Sequence, residues 1–358
     1  MKVLIAAGGT GGHIFPGIAV AKEIVRRSGA SEVLFIGTAR GLETKIVPES
    51  GFQLSLINSA GLKNVGLVNK IKGMSVLPRS FIEARKIIRQ FRPHVVVGAG
   101  GYVSGPVLMM AAIMGYPTLV MDSNALPGFT NRQLARFIDR AALTFEQALP
   151  FFGKKGVVIG NPVRSEFFEI GRKVDAGSFH VLVFGGSQGS RAINNGMIEA
   201  LPLLRETGER LTLTHQSGEN DYENVRAAYN AAGFVDADVR PFISDIFVEF
   251  EKSDLVICRA GATTCAELAA AGRASVMIPL PSAADDHQRK NAEALVGQEA
   301  ATMILQKDLT GEALANEVLR LVNDAEATRE MGDAAKKLSR PDADERAVDL
   351  IEELKMST

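Results

Sequence analysis

The amino-acid sequence predicts an α/β protein made of two doubly wound units, and three observations carry that prediction. Short β-branched runs alternate with helical stretches along all 358 residues, the rhythm of parallel sheets with crossover helices. The rhythm restarts near half length: Val3-Leu4-Ile5-Ala6-Ala7-Gly8-Gly9-Thr10-Gly11-Gly12 is echoed by Val181-Leu182-Val183-Phe184-Gly185-Gly186-Ser187-Gln188-Gly189. The 35 glycines cluster in short runs behind apolar runs, where a strand hands over to a helix N-terminus.

Taken in order, the run Val3–Ala7 is too short for a signal peptide and passes straight into glycines, so it is the first strand. Gly8 to His13 form a turn and Ile14–Arg27 a helix, and strands follow at 32–36 and 53–57. Between Gly61 and Arg92 stand Lys63, Lys70, Lys72, Arg79, Arg85, Lys86, Arg89 and Arg92 against Glu83 alone, interleaved with Leu62, Val65, Leu67, Val68, Ile71, Met74 and Leu77. That pattern suits an amphipathic cover helix with a solvated face, and equally a surface that docks on an anionic membrane. Val95–Met121 holds no charge, yet Gly98, Gly100, Gly101, Gly105, Pro106, Gly115 and Pro117 interrupt it. It therefore divides into a strand at 95–97, a glycine loop, a helix from Pro106 and a strand at 118–121, and does not span a membrane. Strands at 141–144 and 157–159 complete the first half.

Gly160-Asn161-Pro162-Val163-Arg164, followed by Gly171-Arg172-Lys173, reads as a hinge between a domain at 1–163 and one at 164–340. Strands of the second domain are expected at 180–184, 211–215, 238–240, 254–257, 275–279 and 301–305. Asp236-Ala237-Asp238 precedes a strand, so it is a turn and not a metal-binding acid pair. Within 341–358, the amphipathic segment Ala343–Leu354 is expected to pack back across the hinge. Two such domains place a cleft between the carboxyl ends of their sheets.

The formal net charge of -1 argues against a nucleic-acid binder, but residues 1–163 sum to +11 and residues 164–358 to -12. A split of that kind is a prior for an anionic surface on one side. Cys258 and Cys265 form no CxxC pair and read as small core residues of a reduced, cytoplasmic protein. The five histidines are scattered without metal spacing, so no metal site is expected.

Chemistry concentrates at the strand ends. Gly8-Gly9-Thr10-Gly11-Gly12-His13 lets backbone N–H groups and a helix N-terminus approach an anion or a sugar. It is neither GxGxxG nor a P-loop, which removes support for nicotinamide binding and NTP hydrolysis; a tight turn without ligand is the plain alternative. His13 closes the loop where the helix dipole favours a neutral, proton-accepting imidazole. Phe184 to Ser190 repeats the device with hydroxyl and amide donors, suiting a diphosphate held by N–H groups, Ser187 and Arg164. In Arg259-Ala260-Gly261-Ala262-Thr263-Thr264-Cys265-Ala266-Glu267, Thr264 and Glu267 share a helix face, and the carboxylate can accept from a ribose diol or cap the helix. His287, Gln288 and Asn291 follow the next strand.

In these motifs, with GGYVSGP at 100–106, the Asn124 loop, GNPVR at 160–164 and PFI at 241–243, the chain resembles the MurG glycosyltransferases of peptidoglycan synthesis over nearly its whole length. The resemblance implies a GT-B fold and inverting transfer of N-acetylglucosamine from its UDP donor to the C4 hydroxyl of the muramyl sugar of lipid I, giving lipid II. It implies an N-terminal acceptor and membrane-facing domain and a C-terminal donor domain. Donor residues by that likeness are Thr10, Gly11, Gly12, Asn124, Arg164, Ser187, the backbone at Ile243, Thr264, Glu267, His287 and Gln288; Gly9, His13 and Tyr102 meet the acceptor. His13 is nominated as the base, with Asp122 as rival. The family's usual Glu-Gln-Asn is here Asp122-Ser123-Asn124, an acid shorter by one methylene. The likeness further implies no tightly bound cofactor, with Mg2+ from solution the one ion to consider. It implies a peripheral place on the cytoplasmic face of the inner membrane, partners among cell-wall synthesis or division proteins, and no nucleic acid. Rival readings are a diacylglycerol glycosyltransferase, a UDP-N-acetylglucosamine 2-epimerase and a binding protein without catalysis.

Overall fold

The structure is a computed structural model that describes residues 1–9, 11–39, 41–59, 67–171, 177–205 and 210–356, the side chains of 67–77 excepted. It comprises two compact units, Met1–Val163 with Arg340–Thr358, and Arg164–Ser339.

Unit 1 contains β1 (Lys2–Ala7), α1 (Gly11–Arg27), β2 (Glu32–Gly37), α2 (Glu43–Glu49), β3 (Gln53–Leu56), α3 (Leu67–Phe91), β4 (Val95–Gly100), α4 (Ser104–Ile113), β5 (Thr118–Asp122), α5 (Phe129–Leu134), β6 (Arg140–Leu143), α6 (Leu149–Phe152) and β7 (Gly156–Val158). Its sheet is parallel, in the order β3-β2-β1-β4-β5-β6-β7. Unit 2 contains α7 (Glu166–Glu169), β8 (Phe179–Phe184), α8 (Arg191–Leu204), β9 (Leu211–Gln216), α9 (Tyr222–Ala231), β10 (Asp238–Arg240), α10 (Ile246–Lys252), β11 (Leu255–Cys258), α11 (Ala262–Ala271), β12 (Ala274–Met277), α12 (His287–Val296), β13 (Thr302–Met303), α13 (Gly311–Asn323) and α14 (Ala325–Lys337). The same winding recurs as β10-β9-β8-β11-β12-β13, again parallel. In each sheet the order reverses once, between β1 and β4 and between β8 and β11. Doubly wound sheets take their ligands at the carboxyl ends of such strand pairs.

The strands are apolar throughout because both faces are covered. In β4, Val95 and Val97 join Ile14, Ile18, Val348 and Ile351 on one face, while Val96 joins Ile88, Val107 and Leu108 on the other. The uncharged stretch from Val95 is β4, α4 and β5, as its glycines and prolines require, and no described helix is long and apolar enough to cross a membrane. The last helix, α15 (Ala343–Met356), lies on α1 in unit 1. Arg27 meets Asp349 at 2.7 Å and Glu352 at 3.1 Å, and Arg26 meets Glu345 at 3.2 Å.

On α3, Ala84 and Ile88 are buried while Arg79, Arg85, Lys86 and Arg89 are exposed. The more N-terminal part of that basic stretch, Lys63, Lys70 and Lys72 with Leu62, Val65, Leu67, Val68, Ile71, Met74 and Leu77, lies outside the described side chains, as do Arg172 and Lys173. Both cysteines are buried and free, and burial pushes the Cys265 thiol up to about 12. Asp238 opens β10 and pairs with Arg240, consistent with a turn before the strand.

Candidate active site

At the β1/β4 switch point, α1 begins at Gly11, three residues earlier than its apolar pattern suggests. The first-turn N–H groups of a helix have no intrahelical acceptor, so the start of α1 at Gly11 and Gly12 offers donors of the kind that suit an anion. Thr10 lies outside the described residues. Gly9 (φ +93) is different: its N–H donates to Glu43 Oε2 at 2.9 Å and its carbonyl accepts from Leu42 N at 3.4 Å. Both its main-chain groups are engaged within the protein.

His13 rests against the backbone of Gly100 (φ +117), where any Cβ would overlap the imidazole. Tyr102, in the turn after β4, is 63% exposed, and its carbonyl accepts from Ser59 Oγ at 2.8 Å. The β1/β4 register shifts between Ala6 and Ala7. There the buried Ser104 hydroxyl donates to Ala6 O at 2.8 Å and accepts from Gly100 N at 3.0 Å, replacing the lost ladder bonds.

Asp122 ends β5 and is 4% exposed. Its carboxylate accepts from Asn124 N (3.0 Å), Gly128 N (3.1 Å) and Asn131 Nδ2 (2.8 Å), and so shapes the Asn124 loop. Burial pushes its pKa up to about 6, against the pull of those donors. The structure thus gives this carboxylate a loop to hold. Ser123 Oγ donates to Asn161 Oδ1 at 3.1 Å, tying GNPVR to the same loop.

In unit 2, the turn Gly185–Ser190 follows β8, with Ser187 exposed and Gly186 and Gly189 at positive φ. Ser190, not Ser187, caps α8, accepting from Ile193 N at 3.4 Å. Ser190 Oγ also accepts from Arg259 Nη2 at 2.7 Å. Arg259 further donates to Ile278 O (2.9 Å), Pro279 O (3.2 Å) and Gln306 Oε1 (2.8 Å). These partners are all neutral, and desolvation alone perturbs the guanidinium, lowering its pKa. A half-buried cation bonded only to neutral groups, beside a helix N-terminus, favours an anion there.

Glu267, on α11 after β11, is largely buried; desolvation pushes its pKa up to about 7, and the charge of Arg164 opposes the rise. Arg164 Nη2 lies 4.0 Å from its carboxylate, with the guanidinium over Phe167 and Phe247. Thr264 shares that helix, and beside it Thr263 Oγ1 is buried without a partner. Ile243 is buried and its N–H already donates to Gln216 Oε1 at 2.8 Å, so only its carbonyl is left to read a base. His287 Nδ1 donates to Ala284 O at 2.7 Å, which leaves Nε2 outward. Gln288 Oε1 accepts from Leu280 N at 2.9 Å, leaving its amide N–H groups to donate. Asp285 and Asp286, just before them, hold φ of 56°. Asn291 is wholly buried and bonds Ala260 O, a structural role.

The structure thus gathers His13, Gly11, Gly12 and Tyr102 at one switch point and Ser187, Thr264 and Glu267 at the other. Asn124 belongs to unit 1. Sequence reasoning missed Glu43, Ser104 and Asn194. The last is a buried amide that accepts from His215 Nε2 (3.0 Å) and donates to Ser217 O (2.9 Å) and Asp221 (3.0 Å), bracing the loop against which Gly189 packs. Among the described residues, no group of three His, Cys, Asp or Glu is placed to hold a metal.

Residues 3–143 match the glycosyltransferase family 28 N-terminal domain and residues 180–347 its C-terminal domain. The chain is 47% identical to the UDP-N-acetylglucosamine–N-acetylmuramyl-(pentapeptide) pyrophosphoryl-undecaprenol N-acetylglucosamine transferase of Myxococcus xanthus, over 100% of this chain and 94% of that protein. The crystal structure of Acinetobacter baumannii MurG superposes with a TM-score of 0.81 at 32% identity, covering 98% of this chain and 99% of that one. A Listeria monocytogenes putative UDP-N-acetylglucosamine 2-epimerase shares the fold alone, with a TM-score of 0.73 at 16% identity over 100% of this chain and 97% of that one.

Proposed function

The chain belongs to glycosyltransferase family 28 and within it to the MurG glycosyltransferases, and from that membership we propose that it transfers N-acetylglucosamine from UDP-N-acetylglucosamine to the C4 hydroxyl of the muramyl sugar of undecaprenyl-diphospho-N-acetylmuramoyl-pentapeptide, with inversion. The observation that carries this reading is full-length likeness, at 47% identity, to a transferase named for that donor and acceptor.

In the proposed reaction His13 takes the proton of the acceptor hydroxyl, the oxygen attacks C1 of the sugar opposite the diphosphate, and the C1–O bond to UDP breaks. Negative charge developing on the diphosphate is met by the α8 N-terminus, Ser187 and Arg164, and the neutral-bonded guanidinium of Arg259 supports the same role. Glu267 accepts from the ribose diol, the Ile243 carbonyl faces the base, Thr264 adds a phosphate-side contact, and His287, Gln288 and Asn124 meet sugar hydroxyls. Gly11 and Gly12 meet the donor, while Gly9 and Tyr102 meet the lipid-linked diphosphate acceptor. N–H groups and guanidinium supply the charge, so the proposal needs no tightly bound cofactor. Incubation with labelled UDP-N-acetylglucosamine, with and without a lipid I analogue, tests it: transfer only with acceptor is expected, and epimerised sugar without acceptor would overturn it.

We further place the protein at the cytoplasmic face of the plasma membrane, docked through α3, with cell-wall synthesis or division proteins as neighbours. Exposed Arg79, Arg85, Lys86 and Arg89 stand beside Ile82, itself 69% exposed, and each such cation near an anionic leaflet is worth about 1 kcal/mol. Co-sedimentation with vesicles should need anionic lipid and weaken with salt; binding indifferent to both would remove the electrostatic docking.

A further inference from the structure

Glu43 is the first residue of α2 and is wholly buried. Its carboxylate accepts from Thr38 N (2.8 Å), Thr38 Oγ1 (2.9 Å) and Gly9 N (2.9 Å). Burial raises its pKa, but the donors outweigh it and the net shift is downward, so the group is an anion sealed in by hydrogen bonds. Three glycines make the room. A Cβ at Gly8 would stand 2.7 Å from Glu43 Oε1, one at Gly37 would stand 2.5 Å from Glu43 Cγ, and one at Gly41 would overlap the carboxylate. Glycine at 8, 37 and 41 is therefore a void shaped for this side chain, apart from any ligand.

The void sits behind the loop that carries the unit 1 chemistry. Gly9 is held through both main-chain groups, by Glu43 and by Leu42 of the same segment. Gly8 packs on Gly101, whose Cβ would overlap the Gly8 carbonyl, and Gly100 packs on the His13 ring. The Glu43 carboxylate, the Gly8–Gly9 turn, the Gly100–Tyr102 turn and the His13 ring thus form one run of close contacts. We propose that Glu43 is a positioning residue that sets His13 and Tyr102 for the acceptor by locking the Gly8–Gly9 turn. This rests on the transfer reading for its kinetic consequence, while the lock itself is a property of the loop.

The test uses the full-length protein as Glu43→Gln, Glu43→Ala, Gly41→Ala and the double variant Gly41→Ala with Glu43→Ala. Gln keeps the shape but turns an amide donor toward the N–H groups. Gly41→Ala displaces the carboxylate without touching its charge, because the three atoms nearest its Cβ all belong to the Glu43 carboxylate. With UDP-N-acetylglucosamine and a lipid I analogue, Glu43→Gln and Gly41→Ala should each lower kcat about 10- to 100-fold, the scale of a misplacement of about 1 Å, and leave the UDP Kd within about twofold. In the double variant the Gly41 change should add nothing, since its target is gone. Hydrogen exchange at residues 8–13 should quicken in every variant.

A Glu43→Gln protein with wild-type kcat and unchanged exchange overturns the proposal. So do effects of Gly41→Ala and Glu43→Ala that multiply in the double, or UDP affinity falling in step with kcat. If Glu43→Ala does not fold, Gly41→Ala and Glu43→Gln are decided on the same readouts. Wild-type protein that transfers no sugar sinks the transfer reading instead, and the exchange data then decide on the lock.

Discussion

The Glu267 carboxylate should make the protein less stable as pH rises, and replacing it should reverse that. Burial pushes its pKa up to about 7 from 4.5. Below pH 4.5 it is protonated folded or unfolded and costs nothing. Between pH 4.5 and 7 the unfolded chain releases the proton while the folded chain keeps it. The folded state then binds more protons, and stability falls with rising pH. Above 7 the loss is complete, at about 3 kcal/mol for the full shift and about 2.5 kcal/mol between pH 5 and 8. Glu267→Gln keeps shape and polarity without the ionisation. Urea unfolding at pH 5 and pH 8 should therefore find the variant close to wild type at pH 5 and more stable by about 2 to 3 kcal/mol at pH 8. Asp122, raised to about 6, has the same sign, but it is present in both proteins and drops out of the comparison. A site that costs stability is expected to return it in binding: wild-type UDP affinity, relative to the variant, should climb as pH rises to 7 and level off above. A stability gap independent of pH, or affinities that track each other, would refute the argument that this carboxylate is desolvated for a ligand.

Three further outcomes are expected. His13→Ala should lower kcat by about 10²- to 10⁴-fold with UDP affinity unchanged, and a variant at wild-type rate removes His13 from the chemistry. Arg259→Met should weaken UDP binding about 10- to 100-fold, the loss of a charge-assisted contact, without rescue by Lys, whose single ammonium cannot reach Ser190, Ile278, Pro279 and Gln306 together; titration calorimetry decides. Ile351→Ala, at a wholly buried position of α15, should cost about 2–5 kcal/mol in urea unfolding, and a cost near zero would mean that α15 is not part of the unit 1 core.

Much of the fold was legible because parallel strands announce themselves: every expected strand is present, with ends within three residues of the expected ones. The glycine turns were legible as ligand-facing because they end the strands that flank the switch points. What they do in detail was not. The N–H groups of Gly9 and Ile243 are taken by Glu43 and Gln216, 34 and 27 residues away in the chain. Glu43 reads in the sequence as one acid on a surface helix. Only the meeting of Gly8, Gly37 and Gly41 around it reveals a buried anion. The same holds for Arg259, whose significance lies in having neutral partners. Periodicity reports which side of an element faces the core; it is silent on which buried polar group meets which.

The charge split also changes meaning once α15 is placed. Residues 340–358 carry three basic and six acidic side chains, so unit 1 with its terminal helix is net +8 and unit 2 net -9. The helix spends its acids on Arg26 and Arg27 of α1, leaving the exposed cations of α3 without that compensation. In the proposed reaction unit 2, in turn, would hold a nucleotide diphosphate against its own net field. Long-range attraction cannot supply the affinity, since exposed charges beyond about 8–10 Å are screened in any case. It would have to come from donors in contact: the first turn of α8, Arg164, and the Arg259 guanidinium, fixed by Ser190, Ile278, Pro279 and Gln306 and, among the described residues, bonded to no acid. An acidic residue paired with Arg259 would satisfy the apo protein better and would cancel a strong local charge that the proposed reaction offers, with Arg164, to the leaving group.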